Sequence, residues 1–275
     1  MVVLIFFIVY FQALHSFHFG FLDYNILRPA KTSFVGFGNY IKLLHDPDFL
    51  SSALRSTYFV SIAGVAVMGL ALTFALVLNE TFKGRAILRT LVILPWAIPP
   101  VVNGFMWKWI LDGQFGALNG ILYQLGIIAE YQSWLKDPFT ALNFASLTFI
   151  WRFTPFVTLI LLGALQSIPG ELYEAAKVDG AGALMRFLYI TFPLIKPIFW
   201  IGLILVGIFS FTVFDEIYAL TGLDSSTKTL MMYAYETIFE RGRFGLGSAL
   251  AYFIANILFL LTSLYVRSIR RGPEY

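Results

Sequence analysis

Cysteine is absent from the 275 residues, which excludes disulfides, thiol nucleophiles and thiolate metal sites together. Charge is scarce, with 13% of residues Asp, Glu, Lys or Arg, and the net charge of +3 gives no reason to expect nucleic acid as a partner. Histidine occurs three times, at His15, His18 and His45. His15 and His18 can share a helical face, yet two imidazoles without a third ligand read as interfacial residues rather than a metal site. No glycine-rich loop with an attached lysine occurs, so the chain itself is not expected to bind ATP. No compact nucleophile and base constellation is present, and Asp215 with Glu216 alone does not make acid–base chemistry.

What fills the chain is apolar: 59% of residues are hydrophobic, 18% are aromatic and 29 are phenylalanine. A soluble domain of this size would have too little polar surface. Crossing about 30 Å of hydrocarbon takes roughly 20 helical residues. Six crossings are expected, at about residues 2–19, 54–78, 88–110, 142–165, 197–220 and 246–266. The first lacks the basic region and cleavage site of a signal peptide. Six crossings put both termini on one side, and Lys83, Arg85, Arg89, Arg267, Arg270 and Arg271 assign that side to the cytoplasm. Residues 20–53, 111–141 and 221–245 fall outside, with residues 116–130 expected as an amphipathic helix on the surface. Trp96, Trp107, Trp109, Trp134 and Trp200 lie near the expected span ends, as interfacial anchors do; sugar stacking is the competing reading. The whole chain, residues 1–275, reads as one helical membrane domain.

One polar segment interrupts this pattern: Glu174-Ala175-Ala176-Lys177-Val178-Asp179-Gly180, followed by Phe187, Ile190, Pro193 and Pro197. Pro169 can start a short helix here, with Glu171 and Glu174 favouring its dipole and Gly180 permitting a sharp turn. The segment resembles the "EAA" loop of permease subunits in binding-protein-dependent ATP-binding cassette importers. Leu94-Pro95, Pro99-Pro100, Gln166-x-Ile168-Pro169 and Phe214-Asp215-x-Ile217 with Leu220-Thr221 look like parts of the carbohydrate-uptake branch, the maltose/trehalose and glycerol-phosphate permeases. Gly222-Leu223-Asp224 departs from the two glycines and proline common there.

The resemblance implies an all-α, six-helix, type I maltose-permease-like fold. It also implies a cytoplasmic coupling loop at about residues 166–196, in which Glu174, Ala175, Ala176, Asp179, Gly180, Phe187 and Pro193 engage the ATPase. Partners implied are a second permease subunit forming a heterodimer, two ATPase subunits holding ATP and Mg2+, and an external sugar-binding protein. The expected cargo is a disaccharide such as trehalose or maltose, or a short oligosaccharide. Glycerol phosphate, amino acid or phosphate import, and proton-coupled transport, are the alternatives. Within the apolar spans, Asn103, Arg152, Asp215 and Asn256 are candidates for the substrate path or its gate. Arg152 requires an acid, water or protein acceptors at that depth, and Asp215 and Glu216 are the available acids. Asn103 and Asn256 suit either sugar hydroxyls or helix-to-helix bonds.

Overall fold

The computed structural model describes residues 2–224 and 226–269; the expected basic tail at Arg270 and Arg271 lies outside the described residues. In chain order the helices are α1 (Val2–Phe19), α2 (Gly38–Leu44), α3 (Pro47–Asn79), α4 (Arg85–Ile93), α5 (Pro100–Ile110), α6 (Ala117–Gln124), α7 (Pro138–Gln166), α8 (Gly170–Val178), α9 (Ala183–Arg186), α10 (Phe192–Phe211), α11 (Asp215–Thr221), α12 (Leu230–Tyr235) and α13 (Phe244–Ile269). Two residues each from Leu22–Asp23 and Ser33–Phe34 pair antiparallel. The residues fall into two compact units, one formed by the chain up to Thr57 with that from Leu223 onward, the other by Tyr58–Gly222.

The expectation of six crossings is corrected. Among the described residues three helical stretches are long and apolar enough to span a membrane: Pro47–Asn79, Pro138–Gln166 and Ala183–Phe211. A fourth is reached if the pair Arg85–Ala97 and Pro100–Ile110, bent by 98°, counts as one. The physical reason is proline. Leu94–Ala97 tightens into a 3-10 turn, and the residues preceding Pro99 and Pro100 are driven to extended backbone, Ile98 with ψ 127° and Pro99 with ψ 141°. The run expected at 88–110 is therefore two helices with a corner. The run at 197–220 is cut as well, because α10 stops at Phe211 and Asp215–Thr221 forms a separate short helix. Among the described residues Phe244–Leu260 of α13 counts as a shorter apolar stretch, and α1 is not among the qualifying helices. The surface segment expected at 116–130 is helical over Ala117–Gln124.

In the Tyr58–Gly222 unit, α3 buries Phe59, Ala63, Val67, Ala71, Ala75 and Leu78, a stripe at helical spacing made largely of small residues. Small side chains let apolar helices approach closely. On α7, Phe149, Phe153, Val157 and Leu161 are buried, and the Phe59 and Phe149 rings meet at 5.6 Å. The outer faces of α3 and α7 carry exposed apolar side chains such as Val65 and Leu147, as expected where lipid rather than water is the solvent. In the other unit, Asn39 Nδ2 donates to the Gly20 and Leu22 carbonyls, and the Leu230 N–H donates to Ser56 Oγ at 2.8 Å. His15 lies between the rings of Phe11 and Phe19.

Candidate functional site

Two arrangements stand out, both inside the Tyr58–Gly222 unit. The first is a buried charged centre. Gly104 on α5 has no side chain where α11 crosses it: a Cβ there would lie 2.6 Å from the Glu216 carbonyl oxygen and 2.7 Å from Ala219 Cβ. That close approach sets Asn103 beside Glu216. Asn103 Nδ2 donates to Glu216 Oε1 at 3.1 Å and to the Thr148 carbonyl at 3.2 Å. Arg152, projecting from α7, donates through Nε to the same Glu216 oxygen. The side chains are 13% exposed for Arg152 and 1% for Glu216, so this ion pair is nearly dry.

The pairing is incomplete. Glu216 Oε2, Asn103 Oδ1 and the nearby Trp107 Nε1 are buried with no hydrogen-bond partner. Glu216 also edges a cavity of about 370 Å³, walled by Trp96, Phe149, Phe153, Phe156, Phe209 and Phe214 and flanked by Arg152, Thr212 and Asp215. Trp96 stacks on Phe156 at 5.2 Å. Aromatic faces with a few polar groups at one edge form a site that holds the apolar face of a ligand and orients its hydroxyls.

Of the four path candidates, the structure brings Asn103 and Arg152 to one centre. Asp215 edges the same cavity but is exposed, and Glu216, not Asp215, holds the arginine. Asn256 is exposed on α13, its Nδ2 donating to the Tyr252 carbonyl of its own helix. Trp96 joins the aromatic wall, whereas Trp134 Nε1 donates to Asn119 Oδ1 in a loop bond. The adjacency of Asp215 and Glu216 was the signal available in the sequence: neighbours on a short helix point in different directions, so one of the two is buried.

The second arrangement is the polar segment. Pro169 sits at the amino-terminal cap in extended backbone, and α8 follows with no buried residue. Glu174 and Ala175 are exposed and Ala176 is half-buried. The helix ends because Gly180 takes φ +78°, where the Gly180 N–H bonds to the Lys177 carbonyl at 3.1 Å and the Ala181 N–H to the Ala176 carbonyl at 2.8 Å. This pair of bonds is the Schellman termination, and glycine is favoured at its left-handed position. Asp179 precedes the turn, exposed. Behind α8, Tyr173 Oη bonds to Thr191 Oγ1 at 2.9 Å. Thr191 closes a π-helical turn, Phe187–Thr191, which leads into α10 with Pro193 in its first turn. Phe187 is half-buried against Phe192, their centroids 6.0 Å apart.

The chain is 38% identical over 238 residues to the trehalose/maltose transport system permease protein MalF of Thermococcus litoralis, covering 85% of this chain and 79% of that one. It is 35% identical over 254 residues to the sulfoquinovosyl glycerol transport system permease protein SmoG of Agrobacterium fabrum, covering 91% and 81%. Its fold matches a chain in the crystal structure of a bacterial ABC transporter that imports the acidic polysaccharide alginate, with a TM-score of 0.87, 22% identity and coverage of 99% and 93%. Residues 66–271 match the family described as "Binding-protein-dependent transport system inner membrane component". The chain belongs to that family, the multi-pass, non-catalytic permeases of ABC importers, which work in pairs with separate ATPase subunits and a substrate-delivering binding protein.

Proposed function

We propose that this chain is one half of a heterodimeric permease admitting a disaccharide such as trehalose or maltose, or a short oligosaccharide. The carrying observation is the cavity, in which aromatic faces lie beside Glu216, whose second carboxylate oxygen has no partner. A sugar has apolar C–H faces and hydroxyl donors, and this wall suits both. The relatives named for trehalose/maltose and sulfoquinovosyl glycerol transport support the same class.

In this reading residues 1–275 form one membrane domain with both termini in the cytoplasm, and the loop at about 166–196 meets the ATPases. Two ATPase subunits close on ATP and Mg2+, displace α8 and favour an outward-open cavity; hydrolysis restores the inward-facing state. Glu174, Ala175 and Ala176 form the docking face, Asp179 and Gly180 end it, and Phe187 and Pro193 carry the displacement into α10. The exposed face of α8 and its bonded end support this assignment.

The test is uptake into sealed vesicles containing the copurified complex, with trehalose, maltose and glycerol phosphate compared with and without the binding protein. Disaccharide accumulation is expected to require both ATP and the binding protein. It is expected to vanish in Gly180→Pro with assembly intact, because proline near φ −65° cannot take the left-handed turn. Preference for glycerol phosphate would sink the sugar assignment. Normal uptake by Gly180→Pro would remove α8 from the coupling path.

A further inference from the structure

Arg85 and Arg89 are oddly placed for the helix that carries them. Arg85 is the first residue of α4 and Arg89 lies one turn on, so both put positive charge near the positive end of the α4 dipole. The compensation lies in other helices. Arg85 Nε donates to the Leu78 carbonyl at 2.6 Å and Arg89 Nη2 to the same oxygen at 3.3 Å. Leu78 is in the last turn of α3, where carbonyls have no partner inside the helix. With its amide turned so that oxygen faces the guanidinium groups, Gln166 accepts from Arg89 Nη2 at 2.6 Å and Arg85 Nη2 at 3.2 Å. Gln166 is the last residue of α7. Two arginines thus tie together the negative ends of two membrane-spanning helices.

Three residues separate Gln166 from α8. That connection has little slack: the Ser167 hydroxyl bonds back to the Ala164 carbonyl at 2.8 Å, and the Leu172 N–H bonds to the Pro169 carbonyl. At its other end α4 runs into the 98° corner and then α5, which carries Asn103. We propose that Gln166, Arg85 and Arg89 form a positioning clamp that delivers movement of α8 to α4 and, across the corner, to the Asn103–Glu216 centre. A displaced α8 then moves the α7 end and α4 together instead of bending the link between them. The clamp touches neither substrate nor nucleotide, and its effect is on how much transport each ATP yields. This inference rests on the reading of α8 as the ATPase-docking helix.

The experiment reconstitutes the complete complex with binding protein in vesicles and measures both ATP hydrolysed and sugar accumulated. Gln166→Leu removes the acceptor, Gln166→Glu restores one, and Glu174→Lys tests the docking helix separately. For Gln166→Leu, sugar per ATP is expected to fall about fivefold or more while ATPase stays stimulated, with Gln166→Glu recovering the ratio. Proportional loss of hydrolysis and uptake, with the ratio unchanged, overturns the clamp and leaves a structural role. Should Gln166→Leu not assemble, Arg85→Lys together with Arg89→Lys keeps the charge but loses both guanidinium forks; an unchanged ratio there overturns the clamp equally. Failure of the underlying reading looks different: Glu174→Lys then leaves ATPase association and hydrolysis untouched.

Discussion

The two compact units each contain a charged cluster built around one glutamate, and the clusters are finished differently. In the unit formed by the two ends of the chain, Glu236 has a cation at each carboxylate oxygen, Lys228 Nζ at 2.5 Å from Oε2 and Arg241 Nη2 at 2.6 Å from Oε1. Arg241 also lies 3.6 Å from Asp48 and over the Tyr233 ring, and Tyr233 Oη donates to Asp46 at 2.8 Å. In the Tyr58–Gly222 unit, Arg152 and Asn103 both serve one oxygen of Glu216 and leave the other bare beside a cavity. Glu236 Oε2 thus faces a cation and Glu216 Oε2 faces none, and a buried acceptor without a counter-charge or donor is costly. In the proposed reading this difference separates a structural ion cluster from a substrate site, even though both read as acids and bases in an apolar chain.

Removal of the acids tests this contrast most strongly at Glu216. Glu216→Ala strands the Arg152 guanidinium in a dry site and is expected to cost about 3–5 kcal/mol, seen as a large drop in unfolding midpoint of the purified complex. Replacing the pair together, Arg152→Met with Glu216→Leu, is expected to recover most of that stability yet leave uptake impaired. Full recovery of uptake would make the centre structural and erase the distinction. Glu236→Ala is expected to cost about 3 kcal/mol, at the low end of the same range, because it strands the largely buried Lys228 while the partly exposed Arg241 retains Asp48. Uptake per folded complex is expected to hold in that variant.

The smallest expected effect is on pH. Burial opposes the Glu236 charge, but the hydrogen bonds from Lys228 and Arg241 outweigh it and hold its carboxyl below the ordinary 4.5. A depressed acid stabilises the fold above its unfolded value, and that contribution is lost as pH falls through the folded one. Stability measured between pH 7 and pH 5 is therefore expected to be flat with respect to this cluster and to decline below about pH 4.5. In Glu236→Gln that part of the decline should disappear. An equal decline in the variant assigns it to other carboxylates.

Much of this was readable in the chain, unevenly. The end of α8 was legible because a Schellman turn depends on residues within one helical turn, and Asp179-Gly180 supplies the glycine that the φ of +78° favours. The apolar runs of α3 and α7 were legible because apolar length is a local sum. The corner between α4 and α5 was not, although Pro95, Pro99 and Pro100 were in view: hydropathy records how apolar a run is but not which way its axis points. The same blindness extended the fifth expected crossing through Thr212–Phe214 to residue 220, where the chain in fact starts a new helix at Asp215. The choice between Asp215 and Glu216 as the partner of Arg152 was equally out of reach, because it depends on the rotation of α11.

By itself the sequence determined that the chain lives in a membrane, that it carries an exposed polar helix ending on Gly180, and that it holds no thiol chemistry. Each of these follows from composition or from neighbours a few residues apart. Only the tertiary structure decided how the apolar runs are divided, which carboxylate is buried, and that Arg85 and Arg89 meet Gln166. Those outcomes require groups far apart in the chain to come within bonding distance, as Arg152 and Glu216 do across 64 positions and Asn103 and Glu216 across 113. Such contacts are selected by helix packing, here the approach that Gly104 permits, and packing is a property of several helices at once.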